Sequence, residues 1–260
     1  MLKEFYTAAM GMMTQQTRLE VASNNMANAA TSGFRRQEVF VRNLIDARAN
    51  FYNVKGDAEQ NDVPVGSYSD FELGAMQQTD NPLDIAILEK GNFFMLQDEE
   101  GKQFLSRSGR FMIDKEGTIR AMDGKYLLGQ NGKINLSSEQ FAKTQQFDDN
   151  KDVNLRVTEN GEIFVNDFTV DSLLIANPDD PQTLQRVSGS SFIPTNITEL
   201  RYLEPTEINV QQGFIEASNV NVVNEMVEMI ELQRHFEAGQ KVVTTNDSTL
   251  DSAIRLGRFV

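Results

Sequence analysis

Apolar residues recur every seven positions at both ends of the chain. Near the start, Phe5, Met12, Leu19 and Met26 form one column, and Leu2, Ala9, Gln16 and Ser23 form the column three residues before it. This is an a/d heptad with one partly polar column. Near the end, Val222, Met229, Phe236, Val243 and Leu250 fall at sevens. A second column follows four residues after each, through Met226, Gln233, Gln240, Asp247 and Ile254. The spacing predicts helices over 3–30 and 217–256, roughly 42 Å and 60 Å long at 1.5 Å per residue. The end signals agree. Ser218 or Asn219 is placed to cap the second helix, Glu225 and Glu228 sit in its early turns, and Arg255 and Arg258 lie near its end, as the helix dipole favours. Thr31-Ser32-Gly33 breaks the first, since Gly tolerates the left-handed conformation.

Between the ends the period changes to two. Short apolar runs are separated by Glu100-Gly101, Glu116-Gly117, Asp123-Gly124, Asn131-Gly132 and Asn160-Gly161, which predicts antiparallel β structure. The alternating flanks Leu155–Val157 and Ile163–Val165 mark a hairpin about Asn160-Gly161. Residues 50–80 show no clear period and read as an extended connector or arm.

Composition narrows the chemistry. The 260 residues contain no Cys and one His, which excludes disulfide scaffolds, thiolate metal sites, a Cys nucleophile and multi-histidine metal sites. The net charge is −14, unsuited to binding nucleic acid or anionic membrane. Residues 1–30 are neutral and 213–260 carry −3, leaving −11 on the interior, so the helical surfaces are free to crowd together. No stretch approaches 18 apolar residues and the first residues lack the pattern of a cleavable signal. The absence of Cys suits either a cytosolic protein or one exported unfolded into an oxidising space.

No nucleophile elbow, zinc-protease or phosphate-loop motif occurs, and no cofactor or metal is expected. His235, beside Phe236 and one turn after Glu231, reads as a surface or packing residue. Asp148, Asn150, Asp152 and Glu159 match four positions of a calcium loop, but Val153 stands where the sharp turn needs Gly, so a solvated acidic turn is expected instead. The heptad stripes carry Met12, Met26, Met226 and Met229 and are unfinished cores that need other helices. Gln15, Gln16, Asn24, Asn25, Asn28, Gln233 and Gln240 read either as an exposed face or as amides that set register there.

Ser23-Asn24-Asn25-Met26-Ala27-Asn28, followed by Thr31-Ser32-Gly33-Phe34, resembles the N-terminal signature of bacterial flagellar rod and hook proteins. Thr79-Asp80-Asn81-Pro82-Leu83-Asp84-Ile85-Ala86-Ile87 with Gly91-Asn92-Phe93-Phe94, and Arg107-Ser108-Gly109-Arg110-Phe111, resemble the entry to that family's β domain. Glu216-Ala217-Ser218-Asn219-Val220-Asn221-Val222-Val223, then Glu225-Met226-Val227, Met229-Ile230 and Gln233-Arg234, resembles its C-terminal signature, with His235 where the family has a small or apolar residue.

The resemblance implies a structural, non-enzymatic subunit of the flagellar basal-body rod. Such a subunit is exported unfolded by the flagellar type III apparatus without a cleaved signal and located in the periplasm-spanning rod. It implies polymerisation through the terminal helices into a torque-transmitting shaft, with copies of itself and other rod or hook axial proteins as partners and ring proteins as an open candidate. The proximal-rod type is slightly favoured over the distal type; a hook-type axial protein and a secreted β-rich adhesin are the alternatives.

The fold class expected is α+β, with long terminal helices pairing as a coiled coil and an antiparallel β-rich centre. Its parts are an N-terminal helix over 1–36, a connector over 37–80, an outer β domain over 81–212 and a C-terminal helix over 213–260. The expected polymer interface is Phe5, Met12, Leu19, Asn24, Asn25, Met26, Asn28, Val222, Met226, Met229, Gln233, Phe236, Val243, Leu250 and Ile254.

Overall fold

The computed structural model describes residues 2–44, 61–136, 155–165, 168–194 and 200–257. Its described residues hold two α-helices, α1 (Leu2–Ala27) and α2 (Val222–Gly257), with nineteen strands between them. The chain divides into two compact units. One comprises Met1–Ala27, Gln37–Asp70 and Asn221–Val260; the other comprises Asn28–Arg36 and Phe71–Val220.

In the helical unit the two helices run antiparallel. Asn25 Nδ2 donates to Glu225 Oε2 at 3.2 Å, and a Cβ added at Gly239 would stand 2.8 Å from Met12 Cγ. Fourteen residues forward along α2 thus correspond to thirteen backward along α1. The expected coiled-coil pairing is not what this contact forms. In the second predicted column Met226 and Ile254 are 49% and 62% exposed, and Gln233, Gln240 and Asp247 face solvent with them. The covered face of α2 lies one residue earlier, through Glu225, Leu232, Gly239 and Asn246, beside the half-buried Met229, Phe236 and Val243. On α1 the most covered residues include Thr14, Ala22 and Asn25. Charged, amide and small residues therefore fill places where a coiled coil sets apolar knobs into holes. The described residues form two α-helices and a large antiparallel β region without that seam.

α2 also begins later than its pattern suggests. Asn221 Oδ1 accepts from the amides of Val223 at 3.0 Å and Asn224 at 3.2 Å, so Asn221 is the N-cap. Ser218 and Asn219 are occupied elsewhere: Ser218 Oγ accepts from Val220 N, and Asn219 Oδ1 accepts from Arg36 N at 2.6 Å. Within the predicted connector, Gln37–Leu44 pairs antiparallel with Asn61–Ser69, with a bulge between Phe40 and Val41. The Asn25 side chain starts that ribbon, donating to Gln37 O and accepting from Gln37 N, both at 2.9 Å.

The β unit is built on a ten-stranded sheet, and every strand pair in it is antiparallel. Its central strand Phe93–Gln97 is apolar without a break through Leu96 because both its faces are covered. Phe94 and Leu96 join one core with Ile85, Phe111, Leu127 and Ile175. Phe93 and Met95 join a second with Phe71, Leu105, Leu128 and Phe192. The Phe71, Phe93 and Phe192 rings meet at centroid distances of 5.4 to 6.1 Å. All five predicted turn glycines have positive φ. The hairpin about Asn160-Gly161 pairs Leu155 with Val165 and Val157 with Ile163, as its alternation requires. The acidic turn at Asp148, Asn150, Asp152 and Val153 lies outside the described residues.

Candidate functional site

Several of the quoted motifs converge in the β unit on one buried carboxylate. Glu216 ends the strand Phe214–Glu216 that leads toward α2, and it is 1% exposed. Arg35 Nη1 donates to its Oε1 at 2.6 Å, and Arg107 reaches Oε2 through Nε at 2.8 Å and Nη2 at 2.7 Å. The Gly74 amide donates to Oε1 at 2.8 Å, while the Glu216 carbonyl accepts from Gly33 N at 2.8 Å. Each guanidinium has further acceptors. Arg107 donates to the carbonyls of Glu89, Asn92 and Ile87 at 2.5 to 3.0 Å, and Arg35 donates to Glu72 O at 2.7 Å. Burial pulls the Arg107 guanidinium below its ordinary value, against the opposing effect of the Glu216 carboxylate.

Close backbone approach explains the glycines of these motifs. Gly33 has φ +67°, and a Cβ there would lie 2.4 Å from Arg107 C. At Gly109 a Cβ would lie 1.6 Å from Ile85 O. Ser32 Oγ and Ser108 Oγ share a hydrogen bond at 2.9 Å. The segment after α1, the segment before α2 and the segment that follows the strand Gln103–Ser106 are thereby held to one point. In this buried cluster one carboxylate serves two guanidinium groups, and loss of Glu216 leaves both Arg35 and Arg107 without a counter-ion. Among the described residues no group of three or more His, Cys, Asp or Glu that could hold a metal ion occurs.

Of the residues expected at the polymer interface, Val222, Asn24, Met226, Gln233, Leu250 and Ile254 are exposed. Met12, Leu19, Met26, Asn28, Met229, Phe236 and Val243 are half-buried, and Asn25 is buried. The side chain of Phe5 lies outside the described residues. The structure adds what the columns miss. Val223, Met226, Val227 and Ile230 form a second apolar stripe on α2 at helical spacing, and Val223 is 68% exposed. Doublets such as Val222-Val223 and Met226-Val227 are its signal in the sequence. Arg107 and Glu216 lie inside quoted motifs, but no periodicity marks them as buried. His235 is exposed on α2, and no described helix is long and apolar enough to cross a membrane.

Comparison with known proteins agrees with this arrangement of ends and centre. The family described as "Flagella basal body rod protein" matches residues 5–35. "Flagellar basal body rod FlgEFG protein C-terminal" matches residues 211–256, which include Glu216 and most of α2. The flagellar basal-body rod protein FlgG of Caulobacter vibrioides is 30% identical over 96% of this chain and 97% of its own length. FlgG of Bacillus subtilis is 28% identical over 99% of this chain and 100% of its own, and FlgF of Mesorhizobium japonicum is 27% identical over 98% of each. With two end matches and full-length relatives, the chain belongs to the flagellar basal-body rod protein family.

Proposed function

We propose that this structural subunit of the flagellar basal-body rod joins the rod through the exposed apolar stripe of α2, with copies of itself and other axial proteins as neighbours. The observation that carries the reading is the stripe: Val223, Met226, Val227 and Ile230 are all more than two-fifths exposed on a helix whose opposite face already touches α1. Covering one such side chain gains on the order of 1 kcal/mol, so four per copy, repeated along a polymer, amount to a substantial drive for association. The subunit then transmits torque by stiffness and catalyses nothing. The basal body is its place, and the chain without Cys suits unfolded export into the periplasm.

The test is a double substitution, Met226→Glu with Ile230→Glu, in the full chain. Circular dichroism should be unchanged while filament formation at high concentration, followed by sedimentation and electron microscopy, is lost. Filaments at the wild-type threshold would overturn the reading. Removal of residues 217–260 should leave a soluble folded β unit that does not polymerise.

A further inference from the structure

A cleft of about 330 Å³ opens in the β unit between Ser32, Ser106, Ser108 and Ser190, with Arg110 and Asp123 also in its wall. Its wall is rich in hydroxyls and contains no aromatic ring, so it offers hydrogen bonds without a stacking platform for a sugar or base. Arg110 is exposed and has no side-chain partner among the described residues, whereas Asp123 is already ion-paired with Lys125 and accepts from Ser191 Oγ at 3.0 Å.

Positive charge accumulates behind this wall. Arg107 precedes Ser108, and Arg186 donates through Nη1 to the carbonyl of Gly189, itself part of the cleft, at 2.8 Å. Arg186 Nη2 donates to Arg35 O at 2.5 Å, and its guanidinium lies over the Phe34 and Phe192 rings at 4.5 and 5.0 Å. Glu216 neutralises only one of Arg35 and Arg107. Burial, and then repulsion from Arg35, push the Arg186 guanidinium down to about 10. In a chain of net charge −14 such a cationic island stands apart.

We infer that the cleft is a binding site for a carboxylate side chain on an acidic protein segment, held by Arg110, by the one hydroxyl hydrogen left free in the Ser32–Ser108 pair and by the hydroxyl of Ser190. The carboxylate accepts from the guanidinium fork and from the hydroxyls, a charge-assisted set that no neutral side chain reproduces. The site is independent of the α2 stripe: its failure leaves assembly through α2 standing, and failure of the stripe leaves the cleft to be judged by itself.

The experiment is a titration of the full chain with a hexaglutamate peptide, a hexaglutamine peptide and free glutarate, read from the amide resonances of Ser32, Ser108 and Gly189. Hexaglutamate should shift these amides and hexaglutamine should not. Arg110→Gln should weaken the peptide at least tenfold, Arg110→Lys less, and Ser190→Ala a few-fold, with the rest of the spectrum unchanged. No shift with hexaglutamate overturns the inference, whether or not glutarate binds. So does an Arg110→Gln chain that binds the peptide as tightly as wild type.

Discussion

The β unit finishes its core within itself; α2 does not. Phe94, Leu105, Leu127, Ile163, Leu173, Ile175 and Phe192 have no accessible surface, and the strand Phe93–Gln97 spends both its faces on packing. Along the 36 residues of α2, Glu225 and Leu232 are the described residues that are buried, while apolar side chains from Val223 to Ile254 stand in solvent. A long helix with one covered face and one bare apolar face is stable in proportion to what it lies against. The difference separates a body that is a finished fold from an element whose packing awaits other chains.

The contrast breaks most sharply at Glu216. Replacing it with Ala should destabilise the β unit by about 3–5 kcal/mol, because Arg35 and Arg107 are left buried without a counter-ion. Denaturant unfolding followed by β-sheet circular dichroism measures it, and a loss under 1 kcal/mol would mean that water or another acceptor reaches the guanidinium groups. Leu127→Ala removes a side chain with no exposed surface and should cost about 2–5 kcal/mol by the same assay.

Asn221→Ala tests the other side of the comparison. It removes the acceptor for the amides of Val223 and Asn224, at a cost of about 0.5–2 kcal/mol. Hydrogen exchange should quicken in the first turn of α2 and stay unchanged in the strand Phe93–Gln97. Faster exchange in both would show that the helix start and the β core unfold together.

Much of this division is legible in the residues. Heptad spacing places both helices to within a few positions, because side-chain period survives whatever the helix packs against. The Gly dipeptides locate turns, because only Gly takes a φ such as +79° at Gly161 without strain. What periodicity misses depends on contacts far apart in the chain. The cap falls on Asn221 because Asn219 is held by Arg36 and Glu72, partners that are 183 and 147 residues away. The Arg35–Glu216–Arg107 cluster is invisible for the same reason: charged residues in short motifs look solvated until three distant segments fold together. The second heptad column on α2 lies one residue from the covered face because apolar doublets such as Met226-Val227 supply two stripes, and spacing alone does not say which is covered.

The smallest effect is expected where that ambiguity lies. Leu232 and Ile230 are two residues apart on α2, yet Leu232 is 5% exposed and Ile230 48%. Leu232→Ala opens a cavity against the covered face and should cost about 2–3 kcal/mol, within the range for buried leucine truncation. Ile230→Ala removes side chain that already meets water, so the folded subunit should change by about 0.5 kcal/mol or less. If both substitutions are equally costly in thermal unfolding of the dilute subunit, the Ile230 stripe is covered within the chain and is not available to a neighbour. If only Leu232 matters there, and Ile230→Ala raises the concentration needed for filaments, then the bare face of α2 contributes to assembly rather than to folding. The pair of measurements thus separates the two roles on one helix, with no change in net charge to complicate the reading.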